Sequence, residues 1–226
     1  MAVCEEIPVD DEPEERIRVL VIDDHEMFAE SLSRLLERDE GFEVVGVEAT
    51  VAGGVAAALA TAPDIAVVDW NLPDGTGADA TAAIVEATAS TRVLVLTGSH
   101  DDTALVRAIE AGCSGFVTKD KAVRELIDAL RLTHAGEAYI PPDKLAQLLP
   151  HFGRASDRSV VPNLSSRERE ILALVASGKS NKAIATELFL SVHTVRNHVQ
   201  NALAKLNAHS KLEAVAIATR EGLLRT

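Results

Sequence analysis

The segment RVLVIDD at residues 18–24 decides the fold, because its apolar run stops in two carboxylates and an amphipathic stretch, residues 27–36, follows it. The same alternation then repeats four times. The later strand-like runs are residues 44–47, 65–68, 93–96 and 115–117, and the later helix-like runs are residues 54–60, 78–87, 103–111 and 123–133. Apolar strands that alternate with helices are typical of a parallel sheet covered on both faces. The sequence therefore predicts a doubly wound α/β domain around a five-stranded parallel sheet.

Helical spacing alone describes the chain from Leu164 to Leu224. Serines in cap positions and glycines in stop positions divide this part into four short helices. The predicted caps are Ser165 with Glu168 at capping-box spacing, Ser180, Ser191, and Ser210 with Glu213, and the predicted stops are Gly178 and Gly222. This pattern predicts a small all-α domain.

Changes in composition divide the chain into four segments. Pro141, Pro142 and the polar stretch GRASDRSVVPN separate the two periodic parts, as linkers do. We therefore predict an acidic flexible tail at residues 1–16, a flavodoxin-like α/β domain at 17–138, a linker with a short helix at 139–162, and a helical domain at 163–226.

The composition excludes several classes of protein. Of 226 residues, 47% are hydrophobic and 25% charged, as in globular proteins with a buried core. The two cysteines, Cys4 and Cys113, are too few for a disulfide framework or a zinc site. No apolar run approaches the ~20 residues that span a bilayer, and the acidic start MAVCEEIPVDDEPEE lacks a signal-peptide core. We expect a reduced, cytoplasmic protein without a membrane partner.

The charge is unevenly distributed. The net charge is −13, but residues 1–162 carry 13 Lys and Arg against 30 Asp and Glu, a balance of −17. Residues 163–226 carry 9 Lys and Arg against 5 Asp and Glu, a balance of +4. A basic end on an acidic body is compatible with a nucleic-acid partner for the helical domain, although uneven charge also arises on ordinary solvated faces.

Chemistry-bearing residues follow four of the predicted strands: Asp23 and Asp24, Asp69, Thr97 and Lys119. The carboxyl ends of parallel strands meet at one edge of the sheet, so these side chains converge there. Three carboxylates in one pocket favour a bound cation, and Mg²⁺ takes one or two carboxylates together with phosphate oxygens. Thr97 and Lys119 can stabilise charge on a phosphoryl group, and the central Asp69 can be its nucleophilic acceptor.

Two other interpretations of this pocket are weaker. A phosphatase of the haloacid-dehalogenase type needs a second aspartate two residues after the nucleophile, and position 71 is Asn. The run of residues 75–80, GTGADA, fits a dinucleotide-binding loop, but Asp69 and Asp74 would repel a pyrophosphate. Each pocket residue alone is also compatible with an ordinary cap or solvated side chain.

The third helix of the C-terminal part has two distinct faces. On a wheel of ~100° per residue, an apolar stripe is formed by Val195, Val199, Ala202, Leu203 and Leu206. The opposite side and its flanks carry His193, Thr194, Arg196, Asn197, His198, Gln200, Asn201 and Lys205. Arg, Asn and Gln read base edges in the major groove and Lys reaches phosphate, so this helix suits DNA recognition. A solvated helix of an ordinary bundle is the alternative.

Four segments resemble the signature blocks of response-regulator receiver domains: RVLVIDDH, VVDWNLPDGTG, VLTGS and GFVTKD, within residues 17–138. The resemblance implies that Asp69 accepts phosphate from a sensor histidine kinase. It also implies a Mg²⁺ site formed by Asp24, Asp69 and the backbone carbonyl of Asn71, with Asp23 acting through a water.

The same resemblance assigns the switch residues. Thr97 would bond the phosphoryl group, Lys119 would pair with it, and Phe116 occupies the position of the family's switch aromatic. An ordinary core phenylalanine is the other interpretation of Phe116.

The segment LSSREREILALVASGKSNKAIATELFLSVHTVRNHVQNALAKL carries a helix-turn-helix signal. The block from Leu164 to Leu224 resembles the LuxR/FixJ-type DNA-binding domain over its full length, and the chain as a whole resembles regulators of the NarL/FixJ class. The family implies base contacts from Arg196, Asn197 and Gln200. Contacts to the DNA backbone are expected from Lys182, Thr194, His198 and Lys205. Gln200 stands where several relatives carry Lys, so their operator sequences do not transfer.

The resemblance implies a two-component transcription factor rather than an enzyme, in which phosphorylation controls dimerisation or domain release. Its partners would be double-stranded DNA at an inverted repeat, a second copy of the chain paired through the last helix, residues 211–221, and RNA polymerase as a further candidate. The alternatives are a phosphorylation-independent DNA-binding regulator with a degenerate switch, a helical domain that binds protein, and the phosphatase.

Overall fold

A computed structural model describes residues 16–88, 90–98, 102–119, 123–140, 142–152 and 164–224. The N-terminal part is built on a five-stranded sheet in the order β2-β1-β3-β6-β7, with all paired strands parallel. Its strands are β1 (Ile17–Ile22), β2 (Phe42–Glu48), β3 (Ile65–Asp69), β6 (Arg92–Thr97) and β7 (Gly115–Thr118). The predicted doubly wound fold is confirmed.

Five helices cover this sheet: α1 (Glu26–Leu36), α2 (Val51–Thr61), α3 (Gly77–Ala87), α4 (Asp102–Glu110) and α5 (Val123–His134). Alternate residues of each strand point to opposite faces. Val19 and Val21 therefore pack with α1 and α5, whereas Leu20 and Ile22 pack with α2, α3 and α4. Because both faces are buried, the strands are apolar at nearly every position.

A short antiparallel hairpin of β4 (Asn71–Leu72) and β5 (Gly75–Thr76) lies between β3 and α3 and was not predicted. It brings Asp74 to the start of α2, where its carboxylate accepts the N–H groups of Val51 and Ala52 at 2.7 and 3.0 Å. A Cβ on Gly77 would lie 2.8 Å from the carbonyl oxygen of Asp69. The glycine is therefore required for close backbone packing, which accounts for part of the loop pattern without a nucleotide.

Four helices form the C-terminal part: α7 (Ser166–Ala176), α8 (Asn181–Glu187), α9 (Val192–Leu206) and α10 (Lys211–Arg220). Each predicted serine cap accepts a backbone N–H of its helix, and Ser165 with Glu168 forms a complete capping box. Gly178 and Gly222 have φ values of 78° and 68°, as helix stops require. The helical prediction is confirmed at the level of individual caps.

Helix α6 (Pro142–Leu148) and a 3₁₀ turn (Leu149–His151) follow the sheet, where the sequence predicted a short helix. One apolar core runs from α3 and α4 through α6 into α7 and α10, so the two parts pack against each other. The predicted tail at residues 1–16 lies outside the described residues except Arg16, as does the linker stretch 153–163. The boundaries between the four segments remain predictions. No helix among the described residues has the length and apolar character needed to cross a membrane.

Candidate metal centre and nucleic-acid interface

The carboxyl edge of the sheet gathers the residues that the sequence placed there. Nζ of Lys119 lies 2.7 Å from Oδ2 of Asp23 and 3.1 Å from Oδ1 of Asp69. Asp23 and Asp69 are 2% and 3% exposed. Two buried carboxylates on one ammonium group leave a net negative pocket, which attracts a further cation.

The two oxygens of Asp69 have different surroundings. Oδ1 accepts the N–H of Trp70 at 2.8 Å and faces Lys119, whereas Oδ2 points toward Nδ1 of His25, 3.8 Å away. Burial raises the pKa of Asp69 above its ordinary value of 3.8, the bond to Lys119 lowers it in part, and the charge of Asp23 raises it again. A reaction at Oδ2 would therefore leave the bond between Oδ1 and Trp70 intact.

His25 belongs to this pocket, although it was not among the predicted site residues. Its Nδ1 lies 2.8 Å from Oδ1 of Asp24 and 3.2 Å from Oδ1 of Asp23. Ligand atoms of Asp23, Asp24, His25 and Asp69 all lie within 4.8 Å of one another. The signal was present in the sequence, since His25 directly follows the two aspartates.

The donor atoms of the pocket fit a small divalent cation. Three carboxylates supply hard oxygen ligands, and Asp24 stays partly exposed, so water can complete a shell. Asn71 lies two residues past Asp69, at the start of the β4–β5 hairpin. A bound cation would offset the repulsion among the carboxylates.

Thr97 and Phe116 lie on the neighbouring strands β6 and β7. Thr97 is 1% exposed, and its carbonyl accepts the N–H of Lys119 at 2.9 Å. Phe116 is 6% exposed in the core shared with α3 and α4, and its N–H donates to the carbonyl of Tyr139. Thr97 is thus buried at the edge of the pocket, and Phe116 is buried in the core three residues before Lys119 in the sequence.

Helix α9 presents the polar face that the sequence predicted. Val195, Val199, Ala202 and Leu206 are buried, and Leu203 is half-buried. The exposed members of the predicted DNA-contacting set are Lys182, Arg196, Asn197, Gln200 and Lys205, and the half-buried members are Thr194 and His198.

Lys205 differs from the expectation of a free phosphate contact. Its Nζ lies 2.8 and 2.9 Å from the two carboxylate oxygens of Glu168, which is 4% exposed. Together with the capping bonds of Ser165, this ion pair lowers the pKa of the Glu168 carboxyl, against its burial. Lys205 therefore links α9 to the start of α7 through an ion pair. A DNA phosphate would have to compete with Glu168 for its ammonium group.

The turn between α8 and α9 contains an unusual residue. Phe189 is 95% exposed and has a φ of 55°, a left-handed conformation that is uncommon for a large side chain. This conformation was not predicted. The residue types around Phe189 do not indicate it, since αL geometry is usually signalled by glycine or asparagine.

The N-terminal part partly covers α9. Gln200 and Leu203 line a cleft whose opposite wall carries Glu86 and Arg92. The major groove is ~12 Å wide and an α-helix nearly fills it, so both flanks of the helix must be clear for entry. In this arrangement the flank of α9 near Gln200 faces the acidic body instead.

Comparison with known proteins agrees with both parts. The family model described as a response regulator receiver domain matches residues 19–131. The model for bacterial regulatory proteins of the luxR family matches residues 162–218.

Individual relatives match along almost the whole chain. The transcriptional regulatory protein LiaR of Bacillus subtilis is 35% identical over 92% of this chain and 99% of its own. The DNA-binding transcriptional activator DevR/DosR of Mycobacterium tuberculosis is 36% identical over 90% of this chain and 94% of its own. Among solved structures, the response regulator ChrA of a heme-sensing two-component system aligns with a TM-score of 0.50 at 29% identity, over 92% of this chain and 99% of its own.

Proposed function

We propose that a phosphoryl switch at Asp69 controls DNA binding by this chain, which belongs to the two-component response regulators with a receiver domain and a LuxR-type DNA-binding domain. The chain is accordingly a transcription factor. A sensor histidine kinase would be the phosphate donor, Mg²⁺ the metal ion, and duplex DNA with an inverted repeat the target. We assign no catalytic turnover to it beyond accepting phosphate.

The chemistry proposed for the pocket is a single transfer. Oδ2 of Asp69 attacks the phosphorus of a phosphohistidine, the P–N bond breaks, and its electron pair stays with the leaving imidazole. The aspartyl phosphate keeps Oδ1 bonded to Trp70, while Lys119 pairs with the new phosphoryl oxygens and the hydroxyl of Thr97 bonds another. Mg²⁺ held by Asp24, Asp69 and the Asn71 carbonyl would neutralise charge on the phosphoryl oxygens.

The proposed coupling passes through α4, because this helix contacts α3 and α6 as well as α10 of the DNA-binding domain. The guanidinium of Arg107 lies 5.9 Å from the ring of Trp70, the residue next to Asp69. Lys144 of α6 pairs with Asp102 at the first turn of α4. Helix α10 packs against α4, and most residues of Lys211–Ala218 are buried. A shift of α4 would therefore alter its packing against α10 in the DNA-binding domain.

The arrangement of the two domains supports a resting form that binds DNA weakly. Helix α10, through which two copies would pair on an inverted repeat, is partly covered by the receiver domain. Gln200 on α9 faces the receiver across the cleft with Glu86. Phosphorylation would release the DNA-binding domain and so permit pairing of two chains. A switch of this kind changes DNA affinity by the difference in binding between its two states, typically ~1–3 kcal/mol.

The observation that carries the proposal is the contact of Lys119 with both Asp23 and Asp69 in a buried acidic pocket. The test is incubation with acetyl phosphate and Mg²⁺, or with a cognate kinase, followed by mass spectrometry and DNA-binding titration at equal protein concentration. One phosphoryl group on wild type, none on Asp69→Ala, and tighter DNA binding only by the phosphorylated wild type are expected.

Three results would contradict the proposal. Full phosphorylation of Asp69→Ala would show that Asp69 is not the phosphoryl acceptor. Phosphorylation that is unchanged after chelation of Mg²⁺ would equally contradict the proposed site. Equal DNA affinity and oligomeric state with and without phosphate would favour the alternative, a phosphorylation-independent regulator.

A further inference from the structure

We propose that His25 is a ligand of the divalent cation and that its imidazole extends the choice of metal from Mg²⁺ to late first-row ions such as Ni²⁺ and Co²⁺. The inference rests on the proposed metal site and adds a nitrogen donor to its oxygen ligands. It concerns which ions the pocket accepts, and it is independent of whether phosphate alters DNA binding.

The position of the imidazole is the first argument. Its Nδ1 lies 2.8 Å from Oδ1 of Asp24, 3.2 Å from Oδ1 of Asp23 and 3.8 Å from Oδ2 of Asp69. Ligands held ~2.1 Å from a six-coordinate ion are ~3.0 Å apart when adjacent and ~4.2 Å apart when opposite. All three distances fall close to or within this range, so the nitrogen needs only a small adjustment to join the oxygens around one ion.

The local backbone is the second argument. His25 occupies the N-cap position of α1, where Ser, Thr, Asp and Asn are preferred, and its side chain makes no capping bond. Its N–H donates to Oδ1 of Asp23 at 2.9 Å, which fixes the turn with the ring above the carboxylates. The side chain is 65% exposed, so the ring can reorient without disturbing the core.

The donor chemistry gives the direction of the selectivity. Mg²⁺ prefers oxygen and keeps its waters, whereas imidazole nitrogen suits Ni²⁺, Cu²⁺, Zn²⁺ and iron. A set of carboxylates plus one imidazole therefore binds the later first-row ions more tightly than the carboxylates alone, and Mg²⁺ gains little from the nitrogen.

The test uses the fluorescence of Trp70, the single tryptophan of the chain and the neighbour of Asp69. Full-length wild type, His25→Ala and His25→Asn are titrated with Mg²⁺ and, separately, with Ni²⁺. We expect His25→Ala to weaken Ni²⁺ binding at least about tenfold and Mg²⁺ binding less than about threefold. His25→Asn offers an amide oxygen, so it should resemble wild type toward Mg²⁺ and His25→Ala toward Ni²⁺.

Matched controls separate this inference from the proposed function. His151→Ala removes an exposed imidazole from the 3₁₀ turn and should leave both titrations unchanged. Asp24→Asn should weaken binding of both ions, and if it does not, the proposed metal site itself is wrong. Equal losses for both ions in His25→Ala, no loss for either, or no effect of Ni²⁺ on Trp70 in wild type would overturn the role of His25.

Discussion

Nζ of Lys211 lies 2.6 Å from Oε2 of Glu137, and this ion pair joins the first turn of α10 to the receiver domain. Lys211 also bonds Oδ1 of Asn181 at 2.9 Å, and the N–H of Asn181 points at the same carboxylate. Burial lowers the pKa of Lys211, while Glu137 acts in the opposite direction. Glu137 lies two residues before Tyr139, which bridges to Gly115 at the edge of β7. The contact between the domains is thus attached to the strand that carries Phe116.

Glu137→Gln should loosen the contact between the domains. The substitution keeps the shape of the side chain but leaves the ammonium of Lys211 buried without its counter-charge, which is costly until the domains separate. We expect tighter DNA binding without phosphate and faster limited proteolysis of the full chain. Glu187→Gln, which breaks the surface pair with Lys179, is the control and should change neither property. Unchanged DNA affinity in Glu137→Gln would show that this ion pair does not hold the resting form.

Asp69→Asn should stabilise the metal-free protein at neutral pH. Because the folded pKa of Asp69 is raised above 3.8, the ionised carboxylate opposes folding at pH values above that folded pKa. This cost disappears as the pH falls toward the unfolded value. The measurement is urea unfolding in the presence of a chelator. The free energy of unfolding should be higher for Asp69→Asn than for wild type at neutral pH, and this difference should shrink as the pH falls.

Asp74→Asn should change the folding stability in the opposite direction, and it serves as the control. The N–H groups of Ala52 and Val51 lower the pKa of Asp74, so its stabilising effect is present at neutral pH and is lost as the pH falls through the folded pKa. Asp74→Asn should destabilise the protein at neutral pH and less so in acid. If both variants shifted stability in the same direction, the opposite pKa shifts assigned to Asp69 and Asp74 would be wrong.

Thr97→Ala should separate phosphorylation from its consequence. The hydroxyl is not needed to form the aspartyl phosphate, since Asp69 and Lys119 remain. In the proposed switch, the hydroxyl would instead draw the end of β6 toward the phosphoryl group. The variant should accept one phosphoryl group yet lose most of the gain in DNA affinity, measured by fluorescence anisotropy. Thr118→Ala, the neighbouring threonine on β7, is the control and should keep the gain.

Arg196→Ala and Lys182→Ala should affect DNA binding in different ways. Arg196 is exposed on the polar face of α9, so its loss should cost ~1–3 kcal/mol on a specific site and relax the preference at one base pair. Lys182→Ala on α8 should weaken binding to all DNA sequences and make the affinity less dependent on salt concentration. Identical behaviour of the two variants on every sequence would mean that α9 is oriented differently on DNA.

Lys205→Ala should act chiefly on stability. Removal of Lys205 leaves the buried carboxylate of Glu168 with its capping bond from Ser165 but without a counter-charge, and loss of a bond by a buried group costs ~1–3 kcal/mol. The midpoint temperature for unfolding of residues 164–224 within the full chain should be lower than in wild type, even without DNA. A variant as stable as wild type but weaker on all DNA would restore the phosphate contact that the sequence predicted.

Phe189→Gly should stabilise the protein. The left-handed backbone of Phe189 costs ~1–2 kcal/mol for a residue with a Cβ, and its ring is 95% exposed, so few contacts are lost. Phe189→Ala keeps the strain and is the comparison. We expect a higher unfolding midpoint for glycine than for alanine, with DNA affinity unchanged in both. Loss of DNA affinity in both variants would instead assign the ring to the interface.

The sequence by itself determined the five strands of the main sheet, most of the helices and the composition of the acidic pocket. Strand and helix periods are local properties, and the serine caps at Ser165, Ser180, Ser191 and Ser210 act within one helical turn. The pocket also followed from the order of the chain, because the carboxyl ends of parallel strands meet at one edge. Asp23, Asp69 and Lys119 could therefore be brought together without coordinates.

Only the tertiary structure decided how the two domains and the side chains of distant elements meet. The pairs Lys211–Glu137 and Lys205–Glu168 join residues far apart in the sequence, and no periodicity encodes such contacts. The direction of the His25 ring depends on the turn fixed by Asp23, and the strain at Phe189 on how α8 and α9 pack. These features arise from the packing of whole elements, which places side chains by shape and charge rather than by their order in the chain.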